Sequence, residues 1–237
     1  MARLVLENAQ IALSDKDRAF ELRIEHASLE AGETVALTGA SGSGKTLMLE
    51  LLGLLRAPSA GTQYAHADRD LTALWTQGAR SAALAQARGA LFGFVPQTGG
   101  LMPFLNVTQN VALPQRINGV TDPGRVTRLL ERLHIDDVAD QYPGALSIGQ
   151  RQRTAIARAL AHALPFVIAD EPTAALDPDS ADNVLSLLLE TAREDSTGVV
   201  LSSHDLDRLD RFDLPRWDLN VQAEGPRITS HLQVRPC

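Results

Sequence analysis

The residues of this chain whose types and spacing could do chemistry begin with a glycine-rich run. Gly39-Ala40-Ser41-Gly42-Ser43-Gly44-Lys45-Thr46 fits the pattern G-x-x-x-x-G-K-[ST]. A triphosphate must be surrounded by donors at close range. Glycines at 39, 42 and 44 let the backbone turn tightly, and a helix start at Lys45 adds N–H groups and a positive dipole end. Lys45 would reach the β- and γ-phosphates, and the Thr46 hydroxyl would ligate Mg²⁺, a cation that prefers oxygen. Further on, Phe166-Val167-Ile168-Ala169-Asp170-Glu171-Pro172 is an apolar run ending in two carboxylates. At the C-terminal end of a parallel strand Asp170 would approach that metal, and Glu171 would orient or deprotonate an attacking water. Pro172 biases Glu171 away from helical geometry, toward an extended strand tip.

Other residues have ordinary explanations when taken singly. Ser147 and Gln150 are spaced as a capping box at a helix start, although a capped start can also meet an anion from outside. Asp177-Pro178 is a favoured helix beginning, with Asp at the cap and Pro at the first helical position. His204 falls at a strand tip, and Gln97 is a polar residue after a strand.

The elements that must position these residues follow from apolar patterning. Thr34 to Thr38 reads as a buried strand before the glycine loop, and Leu47 to Leu55 as a helix after it. Leu4-Val5-Leu6 and Phe20 to Ile24 read as short strands of a small antiparallel sheet, separated by the turn Ser14-Asp15-Lys16-Asp17. Residues 68–88 look loosely helical, and Leu91 to Val95 is a strand running into Pro96-Gln97. The stretch of about 103–145 changes character: helical patterns at Val107 to Leu113 and Arg125 to Leu133 are punctuated by Pro103, Pro114, Gly119, Pro123 and Pro143. The α/β pattern then resumes with a helix from Ile148 to about Leu164, the strand Phe166 to Ala169, a helix near 179–193 and the strand Val199 to Ser202. Residues 205–237 supply an acidic-basic helix and a hairpin around Gly225.

A chain of 237 residues accommodates one large α/β domain, and its net charge of −7 argues against a dedicated nucleic-acid binder. The only cysteine is Cys237, which excludes an intrachain disulfide and points to a reducing, cytosolic setting. No apolar run approaches the roughly 20 residues of a membrane helix, so a membrane role requires a partner.

Taken together and in order, these pieces resemble the nucleotide-binding subunit of an ATP-binding-cassette (ABC) transporter, over roughly residues 4–210. Residues 39–46 match its phosphate loop, Gln97 its Q-loop, Leu146 to Gln150 its signature motif, Asp170 and Glu171 its Walker B pair, Ala174 to Asp177 its D-loop, and His204 its switch histidine. The resemblance implies an α/β P-loop NTPase core with a parallel sheet, an N-terminal antiparallel β subdomain and an inserted α-helical subdomain. The whole of 1–237 would be one nucleotide-binding domain, with the helical subdomain at about 103–164. It implies ATP and Mg²⁺ as cofactors, with Glu171, His204 and Lys45 catalytic. Residues 39–46, Gln97 and Leu13 would contact the nucleotide, and Thr46, Gln97 and Asp170 the metal. Two such domains, identical or different, would pair head-to-tail, so that Ser147, Gly149 and Gln150 of one meet the γ-phosphate held by the other and Asp177 lies at the dimer contact. An integral-membrane permease would dock on the Gln97–Pro114 region, placing the subunit in the cytoplasm against the inner face of the membrane. The stretch Phe94 to Pro114 looks most like the branch of lipoprotein-release and macrolide-export ATPases.

Two positions depart from the family pattern. Ile148 stands where the signature usually has Gly, and a β-branched side chain narrows the backbone there. Leu13 falls where an aromatic residue usually stacks on adenine, which implies weak base discrimination; a strong preference for ATP over GTP would instead point to Phe20 as a substitute platform. A soluble ABC-type ATPase acting on DNA or ribosomes is the second reading, although the single compact cassette and negative charge fit it poorly. A small-molecule P-loop kinase would leave the signature, Asp177 and His204 without roles.

Overall fold

The computed structural model describes residues 3–15 and 18–235. In chain order its elements are β1 (Arg3–Asp15), β2 (Arg18–Glu30), β3 (Thr34–Gly39), α1 (Lys45–Leu52), β4 (Gln63–His66), β5 (Arg69–Asp70), α2 (Ala82–Leu91), β6 (Phe92–Val95), α3 (Val107–Ile117), α4 (Pro123–Arg132), α5 (Ile148–Leu160), β7 (Phe166–Ala169), α6 (Pro178–Glu194), β8 (Gly198–Ser202), α7 (Leu206–Arg211), β9 (Arg216–Glu224) and β10 (Arg227–Arg235). They form two compact units, residues 1–88 with 202–237, and residues 89–201.

The first unit is built on a long antiparallel ribbon. β1 and β2 pair from Arg3↔Glu30 to Asp15↔Arg18, much longer than the short strands expected from the sequence. Burial shows why. Leu4 and Leu6 are buried at even positions of β1, but Ala9 and Ile11 at odd ones; β2 buries Leu22 and Ile24, then Ala27 and Leu29. Both strands change phase between Glu7↔His26 and Ala9↔Ile24, at Asn8 and Glu25, so the pairing keeps the same offset on either side while the buried set shifts by one residue. Asn8 takes a left-handed backbone there (φ 51°), which asparagine tolerates better than most residues. The Lys16-Asp17 part of the expected turn lies outside the described residues.

β4 adds to the free edge of β1, and β5 to β4. These strands were not expected, and residues 68–88 contain a 3₁₀ turn (Thr72–Gln77) before α2 begins. Tyr64 of β4 is buried and its hydroxyl donates to the Leu52 carbonyl (2.5 Å), tying the strand to the end of α1. Burial alone pushes that phenol's pKa far above its ordinary value. On the other side β10 runs parallel to β2, β9 antiparallel to β10, and β3 parallel to β9. The β9–β10 hairpin turns at Gly225 (φ 61°), as its sequence predicts.

The second unit carries a parallel sheet, β6-β7-β8. β7 and β8 are buried along their whole lengths, the continuous apolar run expected of strands covered on both faces. α5 packs onto β6 and against α3, α4 and α6. It comes so close to β6 that a Cβ on Gly93 would lie 2.2 Å from the Ala159 carbonyl oxygen, so only glycine fits. Arg125 of α4 clamps the helix ends: its Nε and Nη2 donate to the Leu160 carbonyl (3.1 and 2.8 Å), and it pairs with Asp195 after α6. α5 ends at Leu160 rather than Leu164. α3 runs on through Pro114, which the sequence suggested would break it; Pro114 sits in the last turn and accepts from the Asn118 N–H (3.1 Å) and side-chain amide (2.9 Å).

Candidate functional site

In the first unit, β3 delivers the phosphate loop and α1 begins at its end. Gly39 (φ 145°) cannot carry a side chain: a Cβ there would lie 2.6 Å from Ser43 Oγ and 2.9 Å from the Leu219 carbonyl oxygen. Thr38 donates to Asp218, fixing β3 to β9 immediately before the loop turns. Lys45 is buried (7% exposed), and its ammonium turns back to donate to the carbonyls of Gly39 (2.9 Å) and Ala40 (3.3 Å).

The loop fits a phosphate ligand. Ser43 Oγ is buried with no hydrogen-bond partner among the described residues, a state native proteins generally avoid unless something else supplies the partner. α3, α4, α5, α6 and α7 each start with a side-chain cap, from Asn106, Asp122, Ser147, Asp177 and Asp205. α1 starts on left-handed Gly44 (φ 97°) with none, leaving the positive end of its dipole facing the loop.

Phe20 of β2 closes on the same loop. A Cβ on Gly44 would lie 2.9 Å from Phe20 Cζ, and Phe20 sits directly opposite Leu13 in the β1–β2 register. Leu13 itself is 40% exposed. His204 is exposed beyond the end of β8, and the Ser203 N–H donates to the Leu37 carbonyl of β3 (3.2 Å), which sets the histidine's segment beside the strand that feeds the loop.

The second unit brings together the acidic pair and Gln97. The Asp170 N–H donates to the Val95 carbonyl (2.9 Å), holding the tips of β6 and β7 side by side. Gln97 Nε2 donates to Glu171 Oε2 (3.0 Å). Glu171 is not extended as Pro172 suggested; it takes a left-handed backbone (φ 46°). Proline disfavours only the right-handed helical region for the residue before it, and the chain turns the other way. A non-glycine residue in that region costs of order 1–3 kcal/mol and persists where its surroundings impose it, typically at functional sites.

Ser147 and Gln150 form the expected capping box, with Gln150 N–H donating to Ser147 Oγ (3.2 Å) and Ser147 N–H to Gln150 Oε1 (2.9 Å). Ile148 is half-exposed (51%) at the first helical position and leaves the cap intact. Gly149 is spacious, its nearest neighbour being Leu176 at 3.9 Å from a built Cβ. Asp177 caps α6 through the Ser180 N–H (3.0 Å), and hydrogen bonds from Ser180 hold its carboxyl below the usual carboxylate range. Sequence reasoning did not single out Arg158: a basic residue in the last turn of a helix reads as a complement to the dipole.

A family model described as ABC transporter matches residues 22–174. The chain belongs to the ABC transporter family. It is similar to the lipoprotein-releasing system ATP-binding protein LolD of Idiomarina loihiensis, at 41% identity over 204 residues, covering 84% of this chain and 87% of that protein. It is also similar to the macrolide export ATP-binding/permease protein MacB 2 of Aeromonas hydrophila, at 38% identity over 88% of this chain but only 32% of that protein. This chain thus spans about a third of the length of that relative. Among solved structures, a dimeric ATP-binding cassette in a post-hydrolysis state with ADP and Pi superposes with a TM-score of 0.78 at 29% identity, covering 95% of this chain and 96% of that one. The chain's relatives thus include lipoprotein-release and macrolide-export ATPases, the branch that its sequence most resembles, and they favour the transport reading over the nucleic-acid one. Among the described residues no helix is long and apolar enough to cross a membrane.

Proposed function

We propose that this ABC subunit hydrolyses ATP to drive a separate membrane permease, with residues 39–46 holding the triphosphate and Glu171 activating the water. The observation that carries this reading is the buried Lys45 ammonium folded onto its own loop's carbonyls beside the buried Ser43 hydroxyl, which has no hydrogen-bond partner among the described residues. Lys45 places a positive charge against the β- and γ-phosphates, and the loop N–H groups hold their oxygens. Glu171 accepts a proton from the attacking water as its oxygen bonds to the γ-phosphorus, while the bond to the β-phosphate bridging oxygen breaks and ADP leaves. Gln97, already hydrogen-bonded to Glu171, orients that carboxylate. His204 contacts the γ-phosphate. Mg²⁺, held by Thr46, Asp170 and Gln97, would neutralise charge on the phosphate oxygens.

Each site is completed by a second subunit, whose Ser147, Gly149 and Gln150 approach the γ-phosphate and whose Asp177 lies at the contact. The dimeric cassette with ADP and Pi supports pairing of this kind. The permease would bind the Gln97–Pro114 region at the cytoplasmic face of the membrane. Glu171→Gln is the direct test. ATPase turnover should fall at least the roughly 10²–10⁴-fold of a lost general base, with ATP still bound. Wild-type turnover in that variant would remove Glu171 from this role.

A further inference from the structure

After Gln97 the chain turns through Gly99 and Gly100, both with left-handed backbones (φ 73° and 57°), closed by a hydrogen bond from the Gly99 N–H to the Pro96 carbonyl (2.8 Å). A glycine pair of this kind has little stiffness of its own. Arg158, on the last turn of α5, supplies what the turn lacks: Nη2 donates to the Gly99 carbonyl (2.8 Å) and Nη1 to the Gly100 carbonyl (2.7 Å). The two arms of one guanidinium thus grip consecutive carbonyls, a use of the rigid fork that lysine cannot reproduce. Among the described residues no carboxylate pairs with this arginine. Its burial shifts its pKa downward. A partly buried cation is therefore committed wholly to two backbone oxygens two and three residues beyond Gln97. Gln97, at the near end of the same turn, is otherwise exposed and holds Glu171 at 3.0 Å.

We propose that Arg158 is a positioning residue for hydrolysis: by fixing the Gly99–Gly100 turn it holds Gln97 against Glu171, and so links the helix that begins at the signature motif to the carboxylate that activates water. The inference rests on Glu171 being the base.

The test compares steady-state ATPase kinetics of the full chain in wild type, Arg158→Lys, Gln97→Ala and the double variant, with Glu171→Gln alongside. Arg158→Lys keeps the charge and loses the fork; its kcat should drop roughly tenfold, with KM for ATP within about twofold of wild type. In the Gln97→Ala background the same substitution should cost nothing further, because its effect passes through Gln97. Gly99→Ala, which strains the same turn (φ 73°) and whose built Cβ meets Arg151, Gln152 and Ala155 but not Arg158, should reproduce the kcat loss and its dependence on Gln97, and it decides the matter if Arg158→Lys does not fold. Wild-type kcat in Arg158→Lys, a change confined to KM, or losses that multiply in the double variants would overturn the proposal. If those losses multiply while Glu171→Gln is inactive, only the role of Arg158 fails. If Glu171→Gln turns over normally, it is the assignment of the base that fails.

Discussion

Leu13 and Phe20 face each other across the first ribbon, and they would meet a nucleotide base with different chemistry. Leu13 offers only apolar contact; Phe20 offers a ring and packs on Gly44 of the phosphate loop. Stacking is worth about 0.5–1.5 kcal/mol and every base has a face to stack, so such a platform adds affinity without choosing between purines. ATP and GTP should therefore bind with similar affinities, and Phe20→Ala should weaken both by roughly twofold to tenfold in a fluorescent-nucleotide displacement titration. A strong preference for ATP, or no effect of Phe20→Ala, would show that the base is read elsewhere.

Among the elements, the contact of α5 with β6 has the least room. Gly93→Ala forces a methyl against the Ala159 carbonyl and should cost about 1–3 kcal/mol, seen as a Tm lower by several degrees. Gly144→Ala, where a built Cβ meets nothing within 4 Å, is the control and should melt close to wild type. This scale also shows what could be read from the residues alone. β7 was legible to its ends because four consecutive apolar residues are buried on both faces. The starts of α5 and α6 were legible because Ser147 and Asp177 cap them by local chemistry. The length of β1 and β2 was not, since the phase change at Asn8 and Glu25 makes one long alternation look like two short ones. β4 and β5 are too short to signal themselves and exist because the edge of β1 is there to pair with. At the site, the phosphate loop and acidic pair were legible by type and spacing. The arginine that grips the Gly99–Gly100 turn was not, because backbone carbonyls have no residue type to recognise.

For the whole molecule, the proposed completion of each site by a second subunit would make turnover a function of concentration. ATPase activity per subunit should fall on dilution below the dimerisation range, while ATP binding per subunit persists. Constant specific activity on dilution would mean that each chain is complete by itself. The left-handed backbone at Glu171 sets a different limit. Glycine at 171 would relax the chain and lose the carboxylate proposed to activate water, so the most comfortable residue for folding would also be the one that ends catalysis. A search for heat-resistant variants that monitors only folding should be drawn to this position, and would return well-folded proteins that bind nucleotide and do no work.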